Sequence, residues 1–249
     1  MPPSPAQHFA MDQELRNAGH LIRSGLGQLQ SLGVEHYCYH LPLLTLANGF
    51  ERLMKSILCL RALETAGEYS GVASFPKGTE GHNLLILLNR IKDECFLDQY
   101  VEKVPVATKD LEYLQSEELS SFISVLSNFG QSARYYNFDL LLGKPQNRED
   151  PESAWRQIET NIVFGREDLM SLINTGDRQN FVRSALTVEV VSRLEKFTRA
   201  LARLFTMGRI GNQALSFSPH FSDFLFLNDE QLGKTSYSAC GSKQQNKRP

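Results

Sequence analysis

Polar side chains interrupt an otherwise apolar stretch, residues 43–60, and they are the residues best placed to do chemistry. Read as a helix with about 100° per residue, the stretch is apolar around more than half of its circumference. Its polar members share one stripe, here called the polar stripe: Thr45, Asn48, Glu51, Arg52, Lys55 and Ser56. Because lone buried charges are costly, this stripe must face water or a polar partner, which makes it the first candidate site.

A histidine lies where the third predicted helix begins, in Gly81-His82-Asn83-Leu84. A carboxylate of the polar stripe, such as Glu51, could hold its ring, and an imidazole held in this way could act as a general acid or base. The alternative is a hydrogen-bonded structural histidine at a helix start. We predict that His82 meets Glu51 in one polar cluster with Lys55 and Arg134.

A second polar group, Arg134 and Asn137, lies within the fourth helical stretch. Guanidinium and amide groups bind phosphates and base edges, so we predict that both residues join the cluster around Glu51. The alternative is structural, with Arg134 pairing with Asp139 or Glu51 to lock two helices together.

Four cations recur on the last long helix, on the face opposite its apolar side. They form a basic stripe of Arg193, Lys196, Arg199 and Arg203. Such a stripe could follow a nucleic-acid backbone, although Glu189 and Glu195 dilute it, and a solvated helix face is the alternative. Both interpretations place these side chains in solvent, so substitutions at positions 199 and 203 should hardly change folding.

Two histidines, His36 and His40, form an i, i+4 pair that could share a metal ion. No third ligand has a recognisable spacing. The chain also lacks a phosphate-binding P-loop, a nucleophile elbow and a dinucleotide-binding glycine motif. We therefore predict neither a metal site nor a cofactor.

The composition is that of an ordinary globular protein, with 41% hydrophobic and 22% charged residues among 249. The net charge of −2 gives no overall attraction to nucleic acid, so any RNA binding would need local cations. No run of about 18 apolar residues could span a bilayer, the first residues do not resemble a secretory signal, and the four scattered cysteines suit reduced thiols. These features predict a cytoplasmic protein that does not enter a membrane.

Helical periodicity from residue 11 to about residue 208 predicts an all-α fold, an antiparallel helical bundle. The first four predicted helices cover residues 11–32, 35–66, 82–96 and 109–142. Pro42 should end, kink or restart the second helix. Gly130 would mark the break in the fourth stretch if that stretch is two abutting helices.

The last helical region is predicted to be an αα-hairpin. Asp150 is its N-cap, Pro151 is its first helical residue, and the chain turns back at Gly176 and Asp177. Apolar residues recur on both arms: Trp155, Ile158, Ile162, Leu169 and Leu172, then Val190, Leu194, Phe197, Leu201 and Leu204. Residues 220–227 are either a short strand or an aromatic anchor that docks the tail. We assign residues 1–232 to a single domain and residues 233–249 to a disordered polar and basic tail.

Three short motifs, in this order, resemble a bacterial group of HEPN-like helical proteins, a class named for nucleotide binding in higher eukaryotes and prokaryotes. The motifs are Phe50-Glu51-Arg52-Leu53-Met54-Lys55, Gly81-His82-Asn83-Leu84 and Ala133-Arg134-Tyr135-Tyr136-Asn137, and the resemblance covers roughly residues 40–205. It implies a helical bundle that commonly forms homodimers, and a role near RNA, toxin–antitoxin pairs or phage defence.

Active members of that family are metal-independent ribonucleases in which an arginine is followed, about four to six residues later, by a histidine. The corresponding positions after Arg134 hold Asp139, Leu140 and Leu141. A carboxylate does not deliver a proton at neutral pH without a large pKa shift. We therefore expect an RNA-binding or interaction protein without the usual ribonuclease activity.

Two alternatives stay open. In the first, the protein is a ribonuclease in which His82 acts as the general acid or base and Arg134 stabilises phosphate charge. In the second, the polar cluster is purely structural, and function lies at a surface that forms a homodimer or binds a protein partner.

Overall fold

The protein is an all-α helical bundle, as its periodicity predicts. The computed structural model describes residues 3–32, 38–69, 81–131, 136–144, 149–173, 179–208 and 210–237, and these residues contain no strand. Within the same ranges, no helix combines the length and the apolar character needed to cross a membrane.

The helices vary from single turns to 28 residues. In chain order they are α1 (Pro5–Gln30), α2 (His40–Ala66), α3 (Leu84–Cys95), α4 (Asp98–Lys103), α5 (Pro105–Leu114), α6 (Glu117–Gln131), α7 (Tyr136–Leu141), α8 (Pro151–Phe164), α9 (Glu167–Ile173), α10 (Gln179–Thr206), α11 (Asn212–Phe217) and α12 (Ser222–Leu225). Short 3₁₀ turns at Ser218–Phe221 and Asp229–Gln231 flank α12.

Helix α2 lies at the centre of the bundle because its apolar surface is wide. It packs against α1, α3 and α6, and Phe50 packs on Phe197 of α10 with ring centroids 4.9 Å apart. Pro42 does not break this helix, since it lies in the first turn after His40, where its missing N–H costs no helical hydrogen bond. Residues 35–37 of the predicted helix lie outside the described ranges.

Two glycines allow α1 and α2 to approach each other closely. A Cβ on Gly25 would lie 2.5 Å from Cγ of Leu46, and a Cβ on Gly49 would lie 3.0 Å from the backbone nitrogen of Ile22. Contacts this short are not tolerated, and a backbone atom cannot move aside as a side chain can. The close packing of α1 on α2 therefore requires glycine at both positions.

We expect Gly49→Ala to lower the free energy of unfolding by about 1 kcal/mol. Overpacking costs about 1–3 kcal/mol, while alanine returns about 1 kcal/mol in helix propensity. Gly130→Ala is the matched control, because a Cβ there meets only Cβ of Ala47 at 3.3 Å, and it should be neutral or stabilising. Urea unfolding of both variants tests this, and equal stability changes would contradict the close-packing argument.

The fourth predicted stretch contains a boundary at Ser116 that the sequence did not predict. Helix α5 ends at Leu114 and α6 begins at Glu117, where Oγ of Ser116 accepts a hydrogen bond from the N–H of Leu119 at 3.2 Å. The break predicted at Gly130 lies next to the end of α6, which is Gln131. The stretch from residue 109 to residue 142 is therefore divided once more than expected.

The predicted start of α8 is confirmed, since Oδ2 of Asp150 accepts a hydrogen bond from the N–H of Ser153 at 3.1 Å and Pro151 is the first helical residue. The first predicted arm is two helices, α8 and α9, because α8 ends at Gly165. The recurring apolar residues that the sequence predicts for the two arms are buried wherever their side chains are described. The predicted turn at residues 176–177 lies outside the described part of the chain.

The C-terminal region excludes one predicted alternative and contains one difference from the sequence-based expectation. Residues 220–227, for which a strand and an aromatic anchor were both open, are helical turns with Phe221 and Phe224 buried, so the strand is excluded. Residues 233–237, predicted to begin the disordered tail, instead pack on α10, where the N–H of Gly233 donates to Glu195. Hydrogen bonds and one stacked ring, that of Tyr237, hold this segment without an apolar period, so hydrophobic patterning did not predict it. Residues 238–249 lie outside the described ranges.

Candidate functional site

A cleft of about 510 Å³ lies between α1 and α2, along the polar stripe. Helix α1 contributes Met11 and Glu14 to one wall, and Tyr69 closes one end. The residues of α2 that line the cleft are Asn48, Glu51, Arg52, Lys55, Ser56 and Cys59. Two carboxylates and two cations therefore face the same space, and their formal charges balance.

One carboxylate oxygen joins the polar stripe to His82. Oε1 of Glu51 accepts hydrogen bonds from Nζ of Lys55 at 2.7 Å and from Nδ1 of His82 at 2.8 Å. The predicted meeting of His82, Glu51 and Lys55 is thus confirmed. Since an ionised carboxylate only accepts hydrogen bonds, Nδ1 carries the proton and Nε2 faces away from Glu51.

The imidazole of His82 is presented to solvent while its carboxylate partner is mostly covered. The His82 side chain is 57% exposed and that of Glu51 is 19% exposed. Nε2 of His82 has no hydrogen-bond partner among the described residues. A histidine oriented by a covered carboxylate in this way can bind an anion when protonated, or transfer a proton through Nε2.

The start of α3 holds His82 in place. Asn83 is the N-cap, and its Oδ1 accepts hydrogen bonds from the N–H groups of residues 85–86 at 2.9 and 3.2 Å. The N–H of Leu84 donates to Oγ of Ser127 in α6 at 3.0 Å. The backbone that follows His82 is therefore fixed, and so is the direction from which its ring approaches α2.

Arg52 crosses the cleft from α2 to α1. Its Nη1 donates to Oε2 of Glu14 at 2.5 Å, and its Nε donates to Oδ1 of Asn48 at 2.9 Å. Within the described ranges, Nη2 makes no hydrogen bond. The guanidinium is thus oriented by two side chains and still has N–H groups for an anionic ligand.

The other end of the cleft is less polar, and its cysteine is a neutral thiol. Burial raises the pKa of Cys59 to about 11, and the positive charges of Arg90 and Lys55 lower it only in part. Burial also raises the pKa of Tyr69, whose buried Oη has no partner in the part of the chain that is described. Cys59 is therefore unsuited to act as a nucleophile at neutral pH.

Asn137 is separated from this cleft, contrary to the prediction. It lies in α7 and lines a different cavity, of about 370 Å³, together with His40 and Phe129. His40 precedes Glu51 by eleven positions in α2, or about 16 Å along the helix axis. Arg134, the other residue predicted to join the cluster, lies outside the described residues.

Neighbouring elements bury one member of the basic stripe and largely cover a second. Arg199 donates from Nη1 to the carbonyl oxygen of Leu227 at 2.8 Å and from Nη2 to Asp229 at 2.5 Å, and its side chain is 5% exposed. Arg203 donates to Oδ1 of Asp110 at 2.7 Å, with 15% of its side chain exposed. Both guanidinium groups hold the bundle together.

The other two members are also engaged. Arg193 pairs with Glu118 and Glu189, and Nζ of Lys196 lies 4.3 Å from the centroid of the Tyr113 ring. Residues of α5, α6 and the last 3₁₀ turn therefore cover the polar face of α10. The expectation of a solvent-facing basic stripe is corrected, because helical periodicity identifies a polar face without revealing which elements pack on it.

No metal centre accompanies the cleft in the ranges that the structure describes. These residues include no group of three or more histidine, cysteine, aspartate or glutamate side chains that could hold an ion. His36, the predicted partner of His40, lies outside them.

Sequence reasoning missed the wall that α1 contributes to the cleft. Gln7, Met11 and Glu14 recur at intervals of four and three residues, which is the spacing of one helix face. That spacing could have identified the wall, although it does not say which helix faces it. No protein-family model, curated protein or solved structure matches the chain. The geometry of the cleft is therefore the main indication of what the protein binds.

Proposed function

We propose that the protein is a HEPN-like helical protein that binds single-stranded RNA in the cleft between α1 and α2, without the usual ribonuclease activity. The observation that carries the proposal is the exposed imidazole of His82, held by Glu51 at the edge of a cleft that contains Arg52 and Lys55. A phosphate would accept hydrogen bonds from Nη2 of Arg52 and from Nε2 of protonated His82.

The remainder of the cleft suits a base better than a second phosphate. Met11 and Tyr69 offer apolar and aromatic surface on which a base can pack, and Asn48 offers an amide for its edge. Because the charges of the cleft balance, we expect binding that depends on a few oriented contacts rather than on strong overall attraction to polyanions. A cytoplasmic role in bacterial defence or a toxin–antitoxin pair, which the family resemblance implies, is part of the same proposal.

We expect Arg52→Gln and His82→Ala each to weaken RNA binding by about tenfold. A hydrogen bond to a charged group contributes about 1.5–3 kcal/mol, and 1.4 kcal/mol corresponds to a factor of ten. Each lost phosphate contact should also flatten the log–log salt dependence by about 0.7 for a single strand. Fluorescence anisotropy of labelled single-stranded RNA, measured over a range of salt concentrations, tests both effects.

Arg156→Gln provides the matched control. Arg156 is an arginine of α8 that pairs with Glu152, and its side chain is 59% exposed. It should leave both affinity and salt dependence unchanged. Cleft variants that bind RNA as the parent chain does would refute the proposal.

A ribonuclease is the second candidate, and the orientation of the Glu51–His82 pair favours it. Glu51 fixes the ring so that Nε2 of His82 can act as a general acid or base, and Arg134 would stabilise phosphate charge. Cleavage of the labelled RNA by the parent chain, lost in His82→Ala, would replace the binding proposal with this one.

An interaction role remains if RNA is neither bound nor cut. Helix α7 favours this third candidate, because it buries none of its residues and its Phe138 and Leu141 side chains are 63% and 81% exposed. Exposed apolar side chains of this kind suit a homodimer or a protein partner.

A further inference from the structure

The C-terminal segment, residues 233–237, has the alternation of an extended chain. Gly233 and Tyr237 are buried and Thr235 is half-buried, whereas Lys234 and Ser236 are exposed. Successive side chains of an extended segment point to opposite sides, so the three covered residues face the bundle together.

All three covered residues donate hydrogen bonds to one carboxylate, that of Glu195 in α10, which is fully buried. Oε2 accepts a hydrogen bond from the N–H of Gly233 at 2.5 Å, and Oε1 accepts one from Oη of Tyr237 at 2.8 Å. The hydroxyl of Thr235 donates a third. Burial raises the pKa of Glu195, and these three bonds lower it in part, so the segment offsets some of the cost of burying the carboxylate.

Gln30 of α1 binds the backbone of the same segment. Its Nε2 donates to the carbonyl oxygen of Thr235 at 2.7 Å, and its Oε1 accepts from the N–H of Tyr237 at 2.9 Å. The Tyr237 ring also stacks on Phe224, with centroids 5.9 Å apart. One side-chain amide thus makes the donor and acceptor contacts that a neighbouring strand would make.

The first residue of the segment must be glycine. Gly233 has a φ of +77°, and a Cβ added there would lie 2.6 Å from the carbonyl oxygen of Val188. Both the backbone conformation and the lack of space exclude any side chain at this position.

We infer that residues 233–237 form a releasable strap, and that the groove between α1 and α10 is a binding site for extended segments of the form Gly-x-Thr-x-Tyr. The strap belongs to no helix, and α1 and α10 hold it through the side chains of Gln30 and Glu195 rather than through their backbones, so it can leave without unfolding either helix. Tyr237 also lines a cavity of about 640 Å³ with Cys38 and Leu41, and release of the strap opens that wall.

A fluorescent synthetic peptide with the sequence of residues 231–238 tests this inference on the full chain. In the parent chain the strap competes with the peptide at an effective concentration of about millimolar. Gly233→Ala prevents the strap from docking but leaves Glu195 and Gln30 in place. The peptide should therefore bind Gly233→Ala at least about tenfold more tightly than the parent, and a peptide carrying Tyr237→Phe should bind it about tenfold more weakly than the unmodified peptide.

Hydrogen exchange of the strap amides supplies the independent readout. The amides of Gly233 and Tyr237 should be protected in the parent and lose protection in Gly233→Ala. Gly143→Ala is the control, because Gly143 also has a positive φ, of +67°, but has nothing within 4 Å of an added Cβ. Three results would each overturn the inference: strap amides that are unprotected in the parent, protection that survives Gly233→Ala, or equal peptide affinity for the parent and Gly233→Ala.

Discussion

A Trp155→Ala variant is expected to lose about 3–5 kcal/mol of unfolding free energy, a large share of the stability of a typical domain. Trp155 is fully buried, and its ring lies perpendicular to that of Phe122 with centroids 5.8 Å apart. Its Nε1 donates to Oε1 of Glu159 at 3.1 Å. Truncation therefore leaves a cavity between α6 and α8 and removes a donor from a mostly covered carboxylate. Chemical denaturation followed by circular dichroism measures the loss.

Two further variants separate the causes of that loss. Phe164→Ala changes an aromatic residue of the same helix whose side chain is 66% exposed, and it should alter stability by less than about 0.5 kcal/mol. Trp155→Phe keeps much of the ring volume but loses the N–H, so it should fall between the two. If Trp155→Ala cost no more than Phe164→Ala, Trp155 would not be part of the core.

The helices were largely predictable because the spacing of apolar residues by three and four positions can be read directly from the sequence. Leu194, Phe197 and Leu201 repeat at such intervals and are all fully buried. Helix boundaries were predictable at Asp150, whose side chain caps α8, and near Gly130, one residue before α6 ends. The boundary at Ser116 was missed, because a single serine inside a helical pattern does not reveal whether its side chain caps a helix.

Contacts between distant segments were not predictable from periodicity. Tyr39, Glu159 and Arg183 form one hydrogen-bonded group, with Oη of Tyr39 donating to Oε2 of Glu159 at 2.8 Å and Nη1 of Arg183 donating to Oε1 at 3.0 Å. Glu159 and Arg183 are charged and would be assigned to the surface from their own helices, and Tyr39 precedes α2. Only the fold brings their side chains into one partly buried network.

In the candidate site, too, contacts that follow from local sequence patterns were predictable, and the packing of distant segments was not. Glu51 and Lys55 were predictable as an i, i+4 pair, and His82 as their partner, because a short cap motif fixes where α3 begins. The placement of Asn137 was not predictable, because the sequence of a short helix does not show at which end of the bundle that helix packs. The Glu14 wall of the cleft was missed for that reason too.

We expect Arg203→Met to lower the free energy of unfolding by about 3 kcal/mol at neutral pH, although the sequence had suggested almost no effect. Arg203 pairs with Asp110, which is 3% exposed, and removing one member of a covered ion pair leaves the other charge without compensation. Burial raises the pKa of Asp110, while Arg203 lowers it, with smaller contributions from Arg199 and Lys196. The variant therefore holds a carboxylate whose pKa is raised further.

The pH dependence and a double variant distinguish this cause from simple loss of packing. A carboxylate whose pKa is raised in the folded state lowers stability as pH rises through that pKa, so the deficit of Arg203→Met should shrink when the pH is lowered from about 7 to about 5. Asp110→Leu combined with Arg203→Met removes both charges and should recover most of the loss, since apolar replacements of a buried pair are often neutral or stabilising. Two results together would contradict this explanation: stability losses that add in the double variant, and a deficit of Arg203→Met that does not change with pH. Arg203 would then contribute through its aliphatic contacts rather than by compensating the charge of Asp110.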